Sequence, residues 1–333
     1  MKTFAYIVTP VTIKELKNYR PSIRILPDFL IKPFLNRLSA IKVLSMKKIK
    51  AIKGREIEGF LIITPLIGRE LSEESALDKI ISAGQLAQRL GAKIIGLDGR
   101  ASQFINNASP YALKNLKLPV TTGNALTAWS VVEQVYRIAK IKKIDLRKSK
   151  IAIINSANPI GCLCSKKLSD YASRIIISDK DKNKLEKLKE TILPLNPVEV
   201  QIEEDGQMAA NKADVIINTD NTALNIAELN SNAILCSIYP GNNPQDLEKP
   251  RRDITFLKAG LVKLPFPDKF YSDFGLPRGI VSTSMAETML LTLEEKIVSY
   301  SFGDNINVDK LEEIADIAVQ HGFEIWAPDA PVI

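Results

Sequence analysis

Residues 153–164, "IINSANPIGCLC", decide how the rest of the chain is read. An apolar run ends at Asn155, a polar turn follows, and apolar spacing resumes after Gly161, so strand, turn and helix succeed one another. Within the turn Asn155, Asn158 and Gly161 have the spacing of a G-x-x-G-x-x-G loop with asparagine in the first two places. Glycine serves in such loops because it takes positive φ and because a missing side chain lets the backbone approach a diphosphate. Asparagine is among the few other residues that enter the left-handed region at modest cost. The turn is therefore expected to form, with two carboxamides in space that a diphosphate needs. Gly161 keeps the position where helix and strand pack closely, and the helix start, with Ile160 in it, still offers amide donors to an anion.

Downstream the alternation continues. After the strand "KIAIIN" come a helix over 161–172, the strand "RIIISD", the helix "KNKLEKLKETIL", and the strands "VEVQIE", "ADVIINTD", "AILCSIYP" and "ITFLKAGLVKLP". Strands separated by helical crossovers imply a parallel sheet covered on both faces, an α/β doubly wound architecture of the kind that binds nucleotides. Asp179 closes the second of these strands. A carboxylate there suits the ribose diol of NAD and disfavours a 2′-phosphate, although Lys180 and Lys182 pull the other way. "NTDN", residues 218–221, follows the fourth strand, so Asn218 and Thr219 would face the nicotinamide ribose; tight-turn chemistry explains the same composition. Cys236 is read as ending an apolar strand just before "YPG", either as a small core residue or as a nucleophile at the sheet's carboxyl edge.

Upstream, "FAYIVTP", "EGFLIITPLI" and "LDKIISAGQLAQRLGAKIIGLDG" give a βα pattern over the first 120 residues or so. From 123 to 140, Ala125, Trp129, Val132, Val135 and Ala139 share one face of a long helix. The expected layout is an N-terminal α/β substrate-binding domain over 1–122, a linking helix over 123–147, a dinucleotide-binding domain over 148–282, and helices over 283–333 that pack on the first domain. Asp98 and Arg100, after a buried strand, are read as a surface ion pair or as a grip on a polar substrate.

Hydrophobic residues at 45% and charged residues at 25% are ordinary for a soluble chain and argue against long disorder. No apolar run reaches the roughly 20 residues that cross a bilayer, and "FAYIVTPVTI" lacks a small-residue cleavage site, so a cytoplasmic protein is expected. Three cysteines and a single histidine, His321, supply neither a disulfide framework nor metal spacing. The net charge of +7 is concentrated between Lys17 and Arg55. That stretch is either a solvated face or an attractant for an acidic partner; it carries no nucleic-acid motif, and no nucleic acid is expected.

With these segments laid out, the chain resembles the long-chain acyl-(acyl-carrier-protein) reductase family and related NAD(P)-dependent dehydrogenases. The resemblance runs through "EIEGFLIITPLI", "TTGNALTAW" at 121–129, "KIAIINSANPIGCLC", "GLPRGIVSTSMAETMLL" at 275–291 and "SFGDNINVDKLEEIADIAVQHGF". It implies an N-terminal substrate region, a Rossmann domain and a helical C-terminal part, with Thr122 and Asn124 near substrate or nicotinamide and an acidic acyl-carrier protein as a partner. It also implies a cysteine thiolate that attacks a thioester, followed by hydride transfer to give an aldehyde. The family's cysteine lies two residues before the "AE" of "AETMLL", where this chain has Ser284, a far poorer nucleophile without a base. Ser284 with Glu287 also reads as a capping box. The expectations are therefore, first, an NAD(P)-dependent oxidoreductase transferring hydride directly on a carbonyl or hydroxyl carbon of a small-molecule or acyl substrate. The alternatives are a catalytically inactive nucleotide-binding or regulatory module, and a thioester reductase with Cys236 as displaced nucleophile.

Overall fold

The structure, a computed structural model, describes residues 2–10, 12–19, 21–31, 40–50, 52, 55–67, 72–107, 114–194, 197–220, 222–238, 251–266, 276–302 and 306–327. The chain forms two compact units, one of Met1–Gly123, Val262–Asn305 and Asp316–Glu324, the other of Asn124–Leu261, Ile306–Ala315 and Ile325–Ile333.

The first unit is built from β1 (Lys2–Val8), α1 (Ile13–Tyr19), α2 (Asp28–Ile31), β2 (Ile41–Lys50), β3 (Glu56–Ile63), α3 (Glu73–Arg89), β4 (Ile94–Leu97), α4 (Gly99–Asn107) and β5 (Val120–Thr121). Its sheet has the order β2-β3-β1-β4-β5. β1, β3, β4 and β5 run parallel, and their near-continuous apolar runs are what a sheet covered on both faces requires. β2 is antiparallel to β3, with register shifts between Lys42 and Leu44 and between Met46 and Ile49. The lysines that the sequence reading treats as a solvated face therefore lie partly on an edge strand, where its irregular apolar alternation hid the strand signal. On one side Ile7, Ile62, Ile95 and Leu97 pack with Ile80, Ala83 and Ala87 of α3.

The second unit contains α5 (Asn124–Lys142), β6 (Lys150–Ile154), α6 (Pro159–Leu168), β7 (Arg174–Ser178), α7 (Lys182–Ile192), β8 (Glu199–Glu203), α8 (Gly206–Asn211), β9 (Val215–Asn218), β10 (Ile234–Ile238) and β11 (Thr255–Ala259). Its sheet has the order β11-β10-β9-β6-β7-β8, every pair parallel. The chain steps outward in one direction from β6 through β7 to β8, then returns and steps outward the other way from β9. The switch point therefore lies between β6 and β9, the Rossmann arrangement. Helix α6 starts at Pro159, two residues before the expected 161, because Asn158 caps it and proline suits the first helical position. The long helix expected as a linker over 123–147 is instead part of this unit. It packs on α6, β10 and β11, its Gln134 side chain donating to Lys258 O at 3.0 Å and its Ser130 hydroxyl accepting from Gly260 N–H at 2.9 Å.

The remaining elements are β12 (Leu261–Lys263), β13 (Ile280–Ser282), α9 (Thr283–Leu293), α10 (Val308–Gln320) and β14 (Glu324–Ile325). Within the first unit α9 is buried along its whole length and packs on β1, β3, β4 and β5. Among the described residues no helix is long and apolar enough to cross a membrane, and no group of three or more His, Cys, Asp or Glu is arranged to hold a metal ion.

Candidate functional site

At the switch point the loop after β6 takes its shape from Asn155, whose φ of 54° is left-handed, the conformation for which asparagine is tolerated. Asn155 Nδ2 donates to Thr222 Oγ1 at 3.3 Å. Gly161 is forced by proximity: a Cβ there would lie 2.6 Å from Ser156 Cα and 2.7 Å from Asn155 O, so helix and strand approach as closely as a side-chain-free residue allows. The first turn of α6 then accounts for its amides one by one. Pro159 has none. Gly161 N–H donates to Asn158 Oδ1 at 2.8 Å and Cys162 N–H to Asn158 O at 2.9 Å. Ile160 N–H is left with no hydrogen bond among the described residues.

Around this turn polar groups converge from the neighbouring strands. Asn158 Nδ2 donates to Thr219 Oγ1 at 2.6 Å, and that hydroxyl donates to Ile154 O at 2.8 Å. Asn218 pairs with Ile154 in the sheet and sends Nδ2 to Thr222 O at 2.7 Å. Its Oδ1 is buried with no hydrogen-bond partner among the described residues, a costly state that a ligand donor would relieve. Asp179, just past β7, is half-buried and accepts from Ala157 N–H at 3.3 Å and Asp181 N–H at 3.1 Å. The structure therefore brings Asn155, Asn158, Ile160, Gly161, Asp179, Asn218 and Thr219 to the loop region. Thr222, the hub of its hydrogen bonds, escaped the sequence reading because its part is set by a three-dimensional turn.

In the first unit the structure corrects the capping box. The N-cap of α9 is Ser282, with φ −65° and ψ 150°, accepting from Met285 N–H. Ser284 lies inside the helix, so its hydroxyl is free to bond elsewhere. It sits 2.6 Å from Tyr6 Oη and 3.1 Å from Ser282 Oγ, and Tyr6 Oη is 3.0 Å from Ser282 Oγ, closing a triangle of hydroxyls. Burial, reinforced by the Asp98 carboxylate, holds the Tyr6 phenol above its ordinary range, so it stays protonated. Glu287 is fully buried and accepts from Thr121 Oγ1, while Thr122 Oγ1 donates to Ser301 O. Gly123, at φ 76°, lies against Ser284: a Cβ would come 2.2 Å from Ser284 Cα. Asn124 opens α5 in the second unit and is buried.

Asp98, expected as a surface ion pair with Arg100 or a grip on a polar substrate, has its hydrogen bonds within its own unit. It accepts from Thr9 N–H at 2.6 Å, from Thr9 Oγ1 and from Ala101 N–H at 2.8 Å, so it ties β1 to the start of α4; desolvation raises its pKa against these bonds. Cys236 lies within β10, not at its end, paired with Ile217 and Leu257, and burial pushes its thiol up to about 12. A thiol so protonated is a poor nucleophile. His321 is fully buried with Nε2 2.6 Å from Glu294 Oε1.

The fold and this loop define a two-unit α/β chain whose second unit is a Rossmann domain. In sequence it is a distant relative of the long-chain acyl-[acyl-carrier-protein] reductase of Synechococcus elongatus, 25% identical over 295 residues that cover 83% of each chain. It is also 21% identical over 299 residues to the aminotransferase PigE of a Serratia species, a match covering 87% of this chain but 35% of that protein. No family model matches. Among solved structures it is similar to the L-tryptophan dehydrogenase of Nostoc punctiforme, with a TM-score of 0.44 and 14% identity over 96% of this chain and 80% of that one, too loose a likeness to bear on chemistry.

Proposed function

We propose that the chain is an NAD(P)-dependent oxidoreductase that moves hydride directly between the dinucleotide and a carbonyl or hydroxyl carbon, without a covalent intermediate on Ser284. The observation that carries this reading is the switch-point loop. There a left-handed Asn155, a close-packed Gly161, the Asp179 carboxylate and, without hydrogen-bond partners among the described residues, Ile160 N–H and Asn218 Oδ1 fit a dinucleotide. In this reading Ile160 N–H meets a phosphate oxygen, Asp179 holds the ribose diol, and Asn218 and Thr219 serve the nicotinamide side. The bound dinucleotide supplies or takes the hydride. Asp179 favours NAD over NADP, with Lys180 and Lys182 opposing.

The relation to acyl-[acyl-carrier-protein] reductase supports a carbonyl-bearing small-molecule or acyl substrate, met by Thr122, Asn124 and Ser284, and an acidic carrier protein drawn to the lysines between 17 and 55. Ser284 has no histidine to activate it, because His321, the only histidine of the chain, is committed to Glu294. Thioester reduction through Cys236 is opposed by its burial and raised pKa. A second reading, a nucleotide-binding or regulatory module without turnover, is favoured by one observation: the Asn158 carboxamide occupies the Gly161 amide. Titrating the protein with NADH and NADPH by fluorescence tests the first reading. Saturable binding of either supports it; no response to both overturns it.

A further inference from the structure

Resting on the dinucleotide reading above, we propose that the Asn158 carboxamide is a built-in competitor for the ligand's phosphate and sets the affinity of the loop. Amides at a helix start are donors that phosphate oxygens take. Here the Gly161 donor is taken by Asn158 Oδ1 at 2.8 Å, a carbonyl oxygen placed where a phosphate oxygen would sit. The other end of the carboxamide is anchored as well, Nδ2 donating to Thr219 Oγ1 at 2.6 Å, and Thr219 is itself tied to Ile154 O. Both ends of the side chain are therefore occupied, and an arriving phosphate must displace Oδ1 against that anchor.

Two neighbouring groups lie outside the competitor's reach. Among the described residues neither Asn218 Oδ1, on a residue only 5% exposed, nor Ile160 N–H has a hydrogen-bond partner. The loop thus keeps unmet groups that a ligand satisfies beside one group already met by a ligand substitute. An N-cap bond of this kind corresponds to roughly fivefold in an equilibrium constant, the amount by which it weakens dinucleotide binding. A nucleoside without phosphate does not need the Gly161 donor and escapes the competition.

The test is titration of the full chain with NADH, NADPH and adenosine, comparing the unaltered protein with Asn158→Gly and Asn158→Asp. Glycine is tolerated at an N-cap and aspartate caps as well as asparagine, so both variants keep the helix start, which their melting curves check. Asn158→Gly is expected to lower the Kd for the better coenzyme about fivefold or more and to leave adenosine unchanged. Asn158→Asp is expected to raise the coenzyme Kd at least tenfold, because the carboxylate holds the amide and repels phosphate. Equal coenzyme affinity in the unaltered protein and Asn158→Gly overturns the competitor and leaves the cofactor reading standing. Absence of coenzyme binding in all three proteins overturns both.

Discussion

The helix starts at Pro159 and Thr283 each have a glycine packed close by, and they use the position differently. In the second unit α6 begins at Pro159 behind a cap, Asn158, whose side chain is held by Thr219, and Gly161 lets the turn press on Ser156. In the first unit α9 begins behind Ser282, and Gly123 lets a neighbouring turn press on Ser284, whose hydroxyl joins Tyr6 and Ser282. Among the described residues the first start retains an Ile160 amide and, close by, an Asn218 side-chain carbonyl with no hydrogen-bond partner; the second gathers hydroxyls that satisfy one another. The same local device, a polar cap with a side-chain-free neighbour, ties one helix start to the strands beside it through Asn158 and closes the other upon its own hydroxyls.

The comparison breaks most severely at the two glycines. Gly161→Val places carbon inside the Ser156 backbone and is expected to cost about 3 kcal/mol or more, read as a fall in the denaturation midpoint, and to abolish coenzyme binding. Gly123→Val adds a left-handed backbone penalty to a contact with Ser284 Cα and is expected to be at least as harmful to the first unit, read by the same melt. A smaller effect separates the two serines. Ser282→Ala removes the cap and is expected to cost about 1 kcal/mol, whereas Ser284→Ala leaves the helix start intact and removes a bond to Tyr6. If Ser284→Ala proved the more destabilising of the two in urea melts, the assignment of the cap would be wrong.

Smaller still is the reactivity of the thiols. Cys236 and Cys164 are fully buried with raised pKa values, so a thiol reagent at pH 8 is expected to label Cys162 first in the native protein and all three only after unfolding. Mass spectrometry of the labelled peptides decides it. Last comes a pH effect at the second unit's sheet edge, where hydrogen bonding from Arg251 lowers the Asp253 pKa to about 2. A carboxylate with a lowered folded pKa adds stability above its unfolded value near 3.9, and that stability disappears as pH falls toward 2. Asp253→Asn should therefore lower the neutral melting midpoint slightly and flatten the acid limb of the unfolding curve between those values.

The sheet of the second unit was legible because its strands and helices alternate with clean periods, and Asn155 was legible because few residues tolerate positive φ. The cap of α9 was not. Ser284 and Glu287 match the capping-box pattern, yet β13 runs to Ser282, so the last extended residue, not the pattern, fixes the cap. Tyr6 stayed hidden for a different reason: nothing in a strand near the start of a chain announces a hydroxyl partner at Ser284. Asp98 was seen as a charged residue at a strand end, but its bonds to Thr9 and Ala101 depend on which strands lie side by side.

The antiparallel edge strand β2 carries one more implication. It is long and ends the strand order of its sheet, the place where another chain can add itself and begin a fibril. Exposed Lys42 and Lys47, together with two register shifts, make that edge charged and uneven, so a second strand finds no flush template. Threonine in place of both lysines would remove that protection, and light scattering on storage would reveal the clumping that they prevent.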